Sequence, residues 1–139
     1  SGTLVGSSYM YATAHDWARL AQLYLDGGRV GERQLIPADW PEIVATPTPA
    51  SIGDYGLGFW MPLEHDNLPA GTFMMNGFQS QLAMILPEQE LVIVRFGATN
   101  GRGAEVYNLT RAVIAALHED SPAEATNTKR RKPDFPKFG

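Results

Sequence analysis

The sequence contains no cysteine among its 139 residues, which excludes disulfide bridges, zinc–thiolate sites and thiol nucleophiles. Lysine is almost as scarce. The first of the three lysines is Lys129, so residues 1–119 cannot hold a Walker-type phosphate loop. No apolar run approaches the roughly 20 residues that span a bilayer, and we expect no membrane-spanning segment. The first residues also lack the basic start and the apolar stretch of a signal peptide.

The formal net charge of −4 is unevenly distributed along the chain. Residues 1–119 carry 12 acidic side chains and 6 arginines, whereas residues 120–139 carry five basic and three acidic ones. Four of those basic residues form the run Lys129-Arg130-Arg131-Lys132. Such a run can contact nucleic acid, but next to prolines and an acidic domain it is more typical of a solvated end. We therefore expect residues 120–139 to be a flexible basic tail, with no nucleic-acid partner.

The first half of the chain has helical signals. Apolar spacing over residues 17–25 predicts a helix that begins after Thr13, where Asp16 completes a capping box. Gly27-Gly28 ends this helix. A tight turn at residues 30–33 follows, and Pro37 is suited to begin a short helix that ends before Pro47.

From residue 55 onward the pattern changes to strands, over residues 55–61, 72–76, 81–86 and 91–96. The last two are apolar on both faces, so the sheet needs cover on both sides. One face would be covered by a helix over residues 104–118, whose apolar stripe is Val106, Leu109, Val113, Ile114 and Leu117. The first helix would cover only part of the other face. The expected fold class is therefore α+β, an antiparallel sheet of three to four strands with flanking helices that needs further partners.

Most catalytic motifs are absent. Residues 6–10 fail the last position of a Gly-x-Ser-x-Gly elbow, and residues 101–106 lack the third glycine of a dinucleotide-binding loop. His15, His65 and His118 have no metal-ligand spacing. We therefore expect no metal ion and no cofactor.

Three stretches carry a resemblance to a known family. The first, residues 5–28, enters the first helix and ends in Tyr-Leu-Asp-Gly-Gly. The second, residues 55–60, reads Tyr-Gly-Leu-Gly-Phe-Trp. The third, most specific, reads Gly-Phe-Gln-Ser-Gln over residues 77–81 and Ile-Leu-Pro-Glu-Gln-Glu-Leu-Val-Ile-Val over residues 85–94. In this order and spacing they resemble the C-terminal portion of the serine β-lactamase and penicillin-binding-protein superfamily. The likeness is closest to the class C branch, which includes carboxylesterases and 6-aminohexanoate-dimer hydrolases.

The resemblance implies a partial β-lactamase/transpeptidase-like fold over residues 1–119 and a serine hydrolase acting on a small-molecule amide or ester. The family's nucleophile is the serine of Ser-x-x-Lys, assisted by the tyrosine of Tyr-x-Asn. Neither motif occurs in this sequence. We therefore expect the C-terminal part of a hydrolase domain, inactive alone, whose partner is the N-terminal part of the same domain or a companion chain. The resemblance also suggests a periplasmic or secreted location.

The family's third motif, Lys-Thr-Gly or His-Thr-Gly on a strand, corresponds to Met75-Asn76-Gly77. By resemblance the backbone N–H of Phe78 would be one oxyanion donor, and Gly77 would let the substrate approach the backbone closely. Met75, Asn76 and Gln79 would contact the substrate. The departure at two of three motif residues argues against recognition of a β-lactam carboxylate more than against hydrolysis. Two alternatives stay open: Gly77 merely permits a bulge, and the chain is a non-catalytic binding or scaffold module on a degenerate version of the fold.

Overall fold

The structure, a computed structural model, describes residues 2, 10–99 and 104–119. The expected basic tail lies outside the described residues. The described part has the predicted α+β class: a three-stranded antiparallel sheet with a helix against each face. None of its helices is long and apolar enough to cross a membrane.

Helix α1 (Ala14–Leu25) begins where the capping box predicts. The Thr13 hydroxyl oxygen accepts a hydrogen bond from the Asp16 N–H at 3.2 Å, and the Thr13 N–H donates to the Asp16 carboxylate at 3.3 Å. The helix ends at Gly27-Gly28, both with positive φ. Gly28 is required there, because an added Cβ would lie 2.5 Å from the carbonyl oxygen of Ile36.

The connection from α1 to the sheet contains the predicted tight turn and departs from the prediction where its helix begins. A hairpin of β1 (Arg29–Val30) and β2 (Arg33–Gln34) is followed by helix α2 (Trp40–Val44), which begins at Trp40 and not at Pro37. Pro41 lies in the first turn of α2, where its missing N–H has no helical acceptor to lose.

The strand expected over residues 55–61 is wrong. Only isolated bridges form there, Tyr55 to Trp60 and Trp60 to Met74. Gly58 has φ +84°, and Gly56 packs so closely that an added Cβ would lie 2.1 Å from the carbonyl oxygen of Val44. The two glycines thus fold the segment back on itself, so that only its last residues run beside the sheet.

The sheet consists of β3 (Phe73–Gly77), β4 (Gln81–Leu86) and β5 (Leu91–Arg95), in that spatial order. These three strands agree with the predicted ones to within one residue. The register pairs Gly77 with Gln81 and Leu86 with Leu91. The connections are therefore short: a turn at Phe78–Ser80 and another at Pro87–Gln89.

Both faces of the sheet are covered within this chain, because strand side chains alternate between two cores. The α1-side cluster comprises Ala21, Val44, Phe59, Phe73, Ala83 and Ile85. The α3-side cluster comprises Met74, Leu82, Met84, Leu86 and Val106. Each fully buried large side chain contributes about 1.5–3 kcal/mol of transfer free energy. Helix α1 contacts β4 and β5, which agrees with the expectation that it covers only part of its face, and Val44 and Phe59 complete the cluster on that side.

Helix α3 (Ala104–Glu119) packs on the sheet through a stripe that differs from the predicted one. Val106 and Thr110 are buried, and Tyr107 and Ile114 pack beside them. Leu109 and Leu117, expected in the stripe, are 48% and 47% exposed. Thr110 tolerates burial because its hydroxyl donates to the Val106 carbonyl at 3.1 Å. The polar residue Thr110 is thus in the core, whereas the apolar spacing of the sequence predicted that its neighbour Leu109 would be buried.

Candidate functional site

The outer edge of β3 is covered for only part of its length. At Met74 the edge pairs with Trp60: the Trp60 N–H donates to the Met74 carbonyl at 2.9 Å, and the Met74 N–H donates back at 2.8 Å. Backbone groups of alternate strand residues point to the same side, so those of Asn76 face this outer edge as well. No bridge beyond Met74 forms on this side among the described residues. Within the part of the chain that the structure describes, the edge is therefore open from Asn76 onward.

The backbone N–H of Phe78 continues this edge. Gly77 is extended, with φ −120° and ψ 178°, so the strand direction carries on to Phe78. Phe78 is the first residue of the turn Phe78–Ser80, in which its carbonyl accepts from the Gln81 N–H while its own N–H has no partner. Among residues 10–99 and 104–119, no acceptor lies within hydrogen-bond distance of it. The result is an unpaired donor at the end of a strand that β4 holds in place.

Gly77 pairs regularly with Gln81, so the interpretation that it permits a bulge is wrong. Its φ is available to any residue, and an added Cβ would make ordinary contacts with Gln81, the nearest to its Cβ at 3.4 Å. The fold therefore does not require glycine here. A side chain at this position would project on the α1 face of the sheet, beside the open edge.

The other predicted site residues are placed differently from one another. Met75 is half-buried and packs against the α1-side cluster. Asn76 is exposed and lies opposite Leu82, on the α3 face. The side chain of Phe78 is 86% exposed. The structure thus brings Asn76 and Phe78 together on the edge, with Met75 turned toward the core.

The turn after Phe78 is strained. Gln79 has φ 57° and ψ 33°, and Ser80 has φ 61°, so two consecutive non-glycine residues are left-handed. Each such residue costs roughly 1–2 kcal/mol. The turn carbonyls accept hydrogen bonds from the segment at the end of β5. The Thr99 N–H donates to Gln79 at 3.2 Å, and the Arg95 Nη1 donates to Ser80 at 2.8 Å.

Two side chains at the sheet end complete this arrangement. The side-chain amide of Gln81 pairs with the Gly97 peptide: its Nε2 donates to the Gly97 carbonyl at 2.5 Å, and its Oε1 accepts from the Gly97 N–H at 3.1 Å. The Arg95 Nη2 donates to the Thr99 hydroxyl. We call Gln81, Arg95, Gly97 and Thr99 the turn clamp. Sequence analysis missed it; the one signal available was an arginine directly after four apolar strand residues.

The guanidinium of Arg95 has only neutral partners. It binds the carbonyl oxygens of Ser80 and Gly97 and the hydroxyl of Thr99. The ion pairs of the described residues are Arg19 with Asp16 and His65 with Asp66, so no carboxylate there compensates Arg95. Its positive charge is part-buried at the sheet end that carries the open edge.

Exposed aromatic rings flank the covered part of the edge. Tyr55 and Trp60 stack edge to face with ring centroids 4.8 Å apart. Their exposed fractions are 36% and 42%, and Leu57 beside them is 52% exposed. The approach to the edge from this side is therefore apolar.

No group on the edge has the chemistry of a nucleophile or base. The shifted pKa values lie elsewhere: hydrogen bonds from Thr13 lower the pKa of Asp16, and burial, with a smaller effect of Asp66, raises the pKa of Tyr107. Nowhere in the described part of the chain do three or more His, Asp or Glu side chains gather to hold a metal ion. What the edge offers is a hydrogen-bond donor.

Comparisons with known proteins give the family and a similar fold. The model of a family described as Beta-lactamase matches residues 2–118. A solved structure described as "Putative 6-aminohexanoate-dimer hydrolase from Bacillus anthracis" is similar, with a TM-score of 0.61 and 28% sequence identity. The match covers 81% of this chain and 30% of that one, so the chain spans less than a third of that structure's length. None of the curated proteins matches.

Proposed function

Because the chain belongs to the beta-lactamase family, we propose that it supplies the oxyanion strand of a serine hydrolase that acts on an amide or an ester. The observation that carries this proposal is the unpaired Phe78 N–H at the open edge of β3. In acyl transfer the carbonyl oxygen gains negative charge when the serine oxygen attacks the carbonyl carbon. A backbone donor that is already aimed at that oxygen stabilises the transition state without reorganising.

The reaction divides between this chain and residues outside it. The serine of Ser-x-x-Lys attacks the carbonyl carbon, and its proton passes to a basic group. The tetrahedral intermediate collapses with cleavage of the C–N or C–O bond, so that the amine or alcohol leaves with that proton and an acyl-serine remains. Water then hydrolyses the acyl-serine, which releases the acid and restores the serine. These motifs lie outside the 139 residues, since no serine here has a lysine three positions later. Phe78 gives one oxyanion donor, and the N–H of the serine itself gives the other.

The residues of the edge favour a neutral substrate. Met75 and Asn76 stand where the family's motif has charged or polar residues, and the Met75 side chain is partly withdrawn into the core. Gly77 leaves the sheet surface beside Asn76 and Phe78 free of a side chain, so a substrate carbonyl can lie against the backbone. An amide or ester without an obligatory carboxylate fits these features.

Replacing Phe78 with proline tests the proposal, because it removes the one N–H at issue. The extended Gly77 before it is the conformation that proline requires, and the N–H that proline lacks has no hydrogen-bond partner among the described residues. The fold should therefore tolerate Phe78→Pro. Phe78→Ala is the matched control, since it removes the exposed ring and keeps the N–H.

The measurement is hydrolysis of a p-nitrophenyl ester by the full-length protein that carries this chain. We expect Phe78→Pro to lower kcat about 10²–10³-fold, the usual loss for one oxyanion donor. Phe78→Ala should lower it far less. Equal rates for the two variants, with unchanged circular dichroism, would reject the backbone of Phe78 as a donor.

A non-catalytic scaffold or binding module is the second candidate, favoured by the partial burial of Met75. It makes the opposite prediction for the full-length protein: no serine is labelled by a fluorophosphonate, and Phe78→Pro has no rate to lower. Stoichiometric labelling of a serine would reject this candidate.

A further inference from the structure

The turn that follows Phe78 would not keep its shape from local preferences alone. Gln79 and Ser80 are both left-handed, and neither is a glycine. Only Gly and, less often, Asn or Asp adopt this region readily. A three-residue connection with these torsions persists when contacts with its surroundings offset the conformational cost of the torsions.

One of those contacts lies within the turn, where the Gln81 N–H donates to the Phe78 carbonyl, and the others come from the turn clamp. Arg95 binds the Ser80 carbonyl at 2.8 Å, and the Thr99 N–H binds the Gln79 carbonyl at 3.2 Å. Gln81 fixes the clamp to the strand end through its two hydrogen bonds with Gly97. Both left-handed residues thus have their carbonyl oxygens held from the neighbouring strand.

The direction of the Phe78 N–H depends on this turn. The peptide that carries this N–H joins Gly77, which is paired with Gln81, to Phe78, which directly precedes the left-handed Gln79. If Gln79 and Ser80 relaxed to ordinary torsions, the Phe78 torsions would have to compensate to keep the chain connected to β4. The N–H would then turn away from the outer edge.

We propose that Arg95 is a positioning residue, which aims the Phe78 N–H by clamping the left-handed Gln79-Ser80 turn. This inference rests on the proposed function. Arginine suits the task because its planar fork reaches Ser80 and Thr99 together. A lysine ammonium keeps the charge but has no such fork. Comparing Arg95→Lys with wild type therefore separates the effect of the positive charge from the effect of the planar fork.

The test compares Arg95→Met, Arg95→Lys and the control Arg111→Met in the full-length protein. Arg111 is also a part-buried arginine that binds a backbone carbonyl, that of Asp66, but it lies on α3. Two readouts are used: steady-state hydrolysis of a p-nitrophenyl ester, and hydrogen exchange, by mass spectrometry, of the peptide covering residues 77–82.

We expect Arg95→Met to lower kcat between about tenfold and a hundredfold with little change in KM, since a misaimed donor weakens the transition state only. Exchange across residues 77–82 should accelerate. Arg95→Lys should fall between Arg95→Met and wild type on both readouts. Arg111→Met should keep kcat within about twofold, and its turn should exchange as in wild type.

Wild-type kinetics in Arg95→Met, or wild-type kcat in Arg95→Lys, would overturn the clamp while the proposed function stands. The clamp would also be overturned if Arg95→Met lost no more activity than Arg111→Met and exchange across the turn were unchanged. Arg95 would then affect only the general stability of the fold. A wild-type protein without hydrolysis would reject the proposed function instead, and the exchange measurement alone would then decide whether Arg95 holds the turn.

Discussion

At the open edge of β3, the residues of the proposed site would act through their backbone groups more than through their side chains. Phe78 presents an N–H while its ring points to solvent, and Gly77 presents a surface without a side chain. Gln79 contributes an uncommon torsion and an accepting carbonyl. Side-chain identity at these positions affects which backbone torsions are accessible and how closely a substrate can approach. Each residue is therefore best tested by a substitution that alters one backbone property.

Replacing Gly77 with valine should reduce turnover more than stability. The added Cβ makes an ordinary contact of 3.4 Å with Gln81, and β-branched residues suit strands, so we expect a stability change within about 1 kcal/mol. The branches would crowd the surface that the substrate carbonyl approaches, and kcat/KM should fall about tenfold or more. Gly77→Ala is the graded control. An esterase rate indifferent to Gly77→Val would leave the family assignment intact and remove the oxyanion assignment.

Tyr107 should make the fold sensitive to alkaline pH. Burial, and to a smaller extent the charge of Asp66, raises its pKa in the folded state. Below the unfolded value of about 10 both states are neutral and its contribution to stability is fully present. As the pH rises past that value, the unfolded state ionises first and the contribution is lost.

Urea unfolding of wild type and Tyr107→Phe at increasing pH measures this effect. The hydroxyl has only a 3.8 Å contact with the Met74 sulfur, so the two proteins should be similar near pH 8. Above pH about 10 the wild type should lose stability faster. Tyr55→Phe, at a more exposed ring, is the control. Parallel pH profiles for wild type and Tyr107→Phe would contradict the prediction.

At the scale of elements, the central strand β4 determines the architecture. Its residues alternate between the α1-side and α3-side clusters, and five of its six side chains are buried. Helix α3 contributes less apolar surface than its sequence suggests, because Leu109 and Leu117 face away from the sheet. The strands, more than the helices, carry the hydrophobic stabilisation.

Two leucines should therefore differ sharply on truncation. Leu86 is fully buried in the α3-side cluster, and Leu86→Ala should cost about 2–5 kcal/mol of unfolding free energy. Leu109→Ala, at a half-exposed position on α3, should stay within about 0.5 kcal/mol. Chemical denaturation followed by circular dichroism measures both. Similar losses would mean that α3 packs through the stripe that the sequence predicts.

At the scale of the whole molecule, the proposed reaction needs more groups than this chain supplies. The chain has a structured donor at the open edge and no lysine before Lys129. The similar solved structure is more than three times as long as the matched part, since the match covers 30% of it. The proposed chemistry thus needs groups from beyond these residues.

Labelling with a fluorophosphonate should distinguish the chain from the complete protein. The 139-residue chain should not be labelled, because none of its serines has the Ser-x-x-Lys partner that activates a hydroxyl near neutral pH. The full-length protein should be labelled on a serine outside these residues, located by peptide mass mapping. Stoichiometric labelling of Ser80, or of any other serine in the isolated chain, would overturn the proposed division of the site.

Local patterns in the sequence were enough to predict most of the helices and strands. The capping box at Thr13 and Asp16, the glycines after α1 and the apolar strands predicted over 81–86 and 91–96 depend on neighbours within a few residues. The structure has all of them, with the last strand one residue shorter. The family likeness rests on motifs that are also local, and the match over residues 2–118 confirms it.

Only the tertiary structure decided the features that depend on contacts between residues far apart in the sequence. The glycines at residues 56 and 58 turn an apparent strand back because Val44 lies against it. Thr110 enters the core because a carbonyl one turn earlier satisfies its hydroxyl. Arg95 reaches Ser80 across 15 residues of sequence, and the open edge begins where Trp60 stops pairing. Hydrogen bonds between distant segments have no periodic trace in sequence, so the clamp and the limits of the edge could be found only in the folded chain.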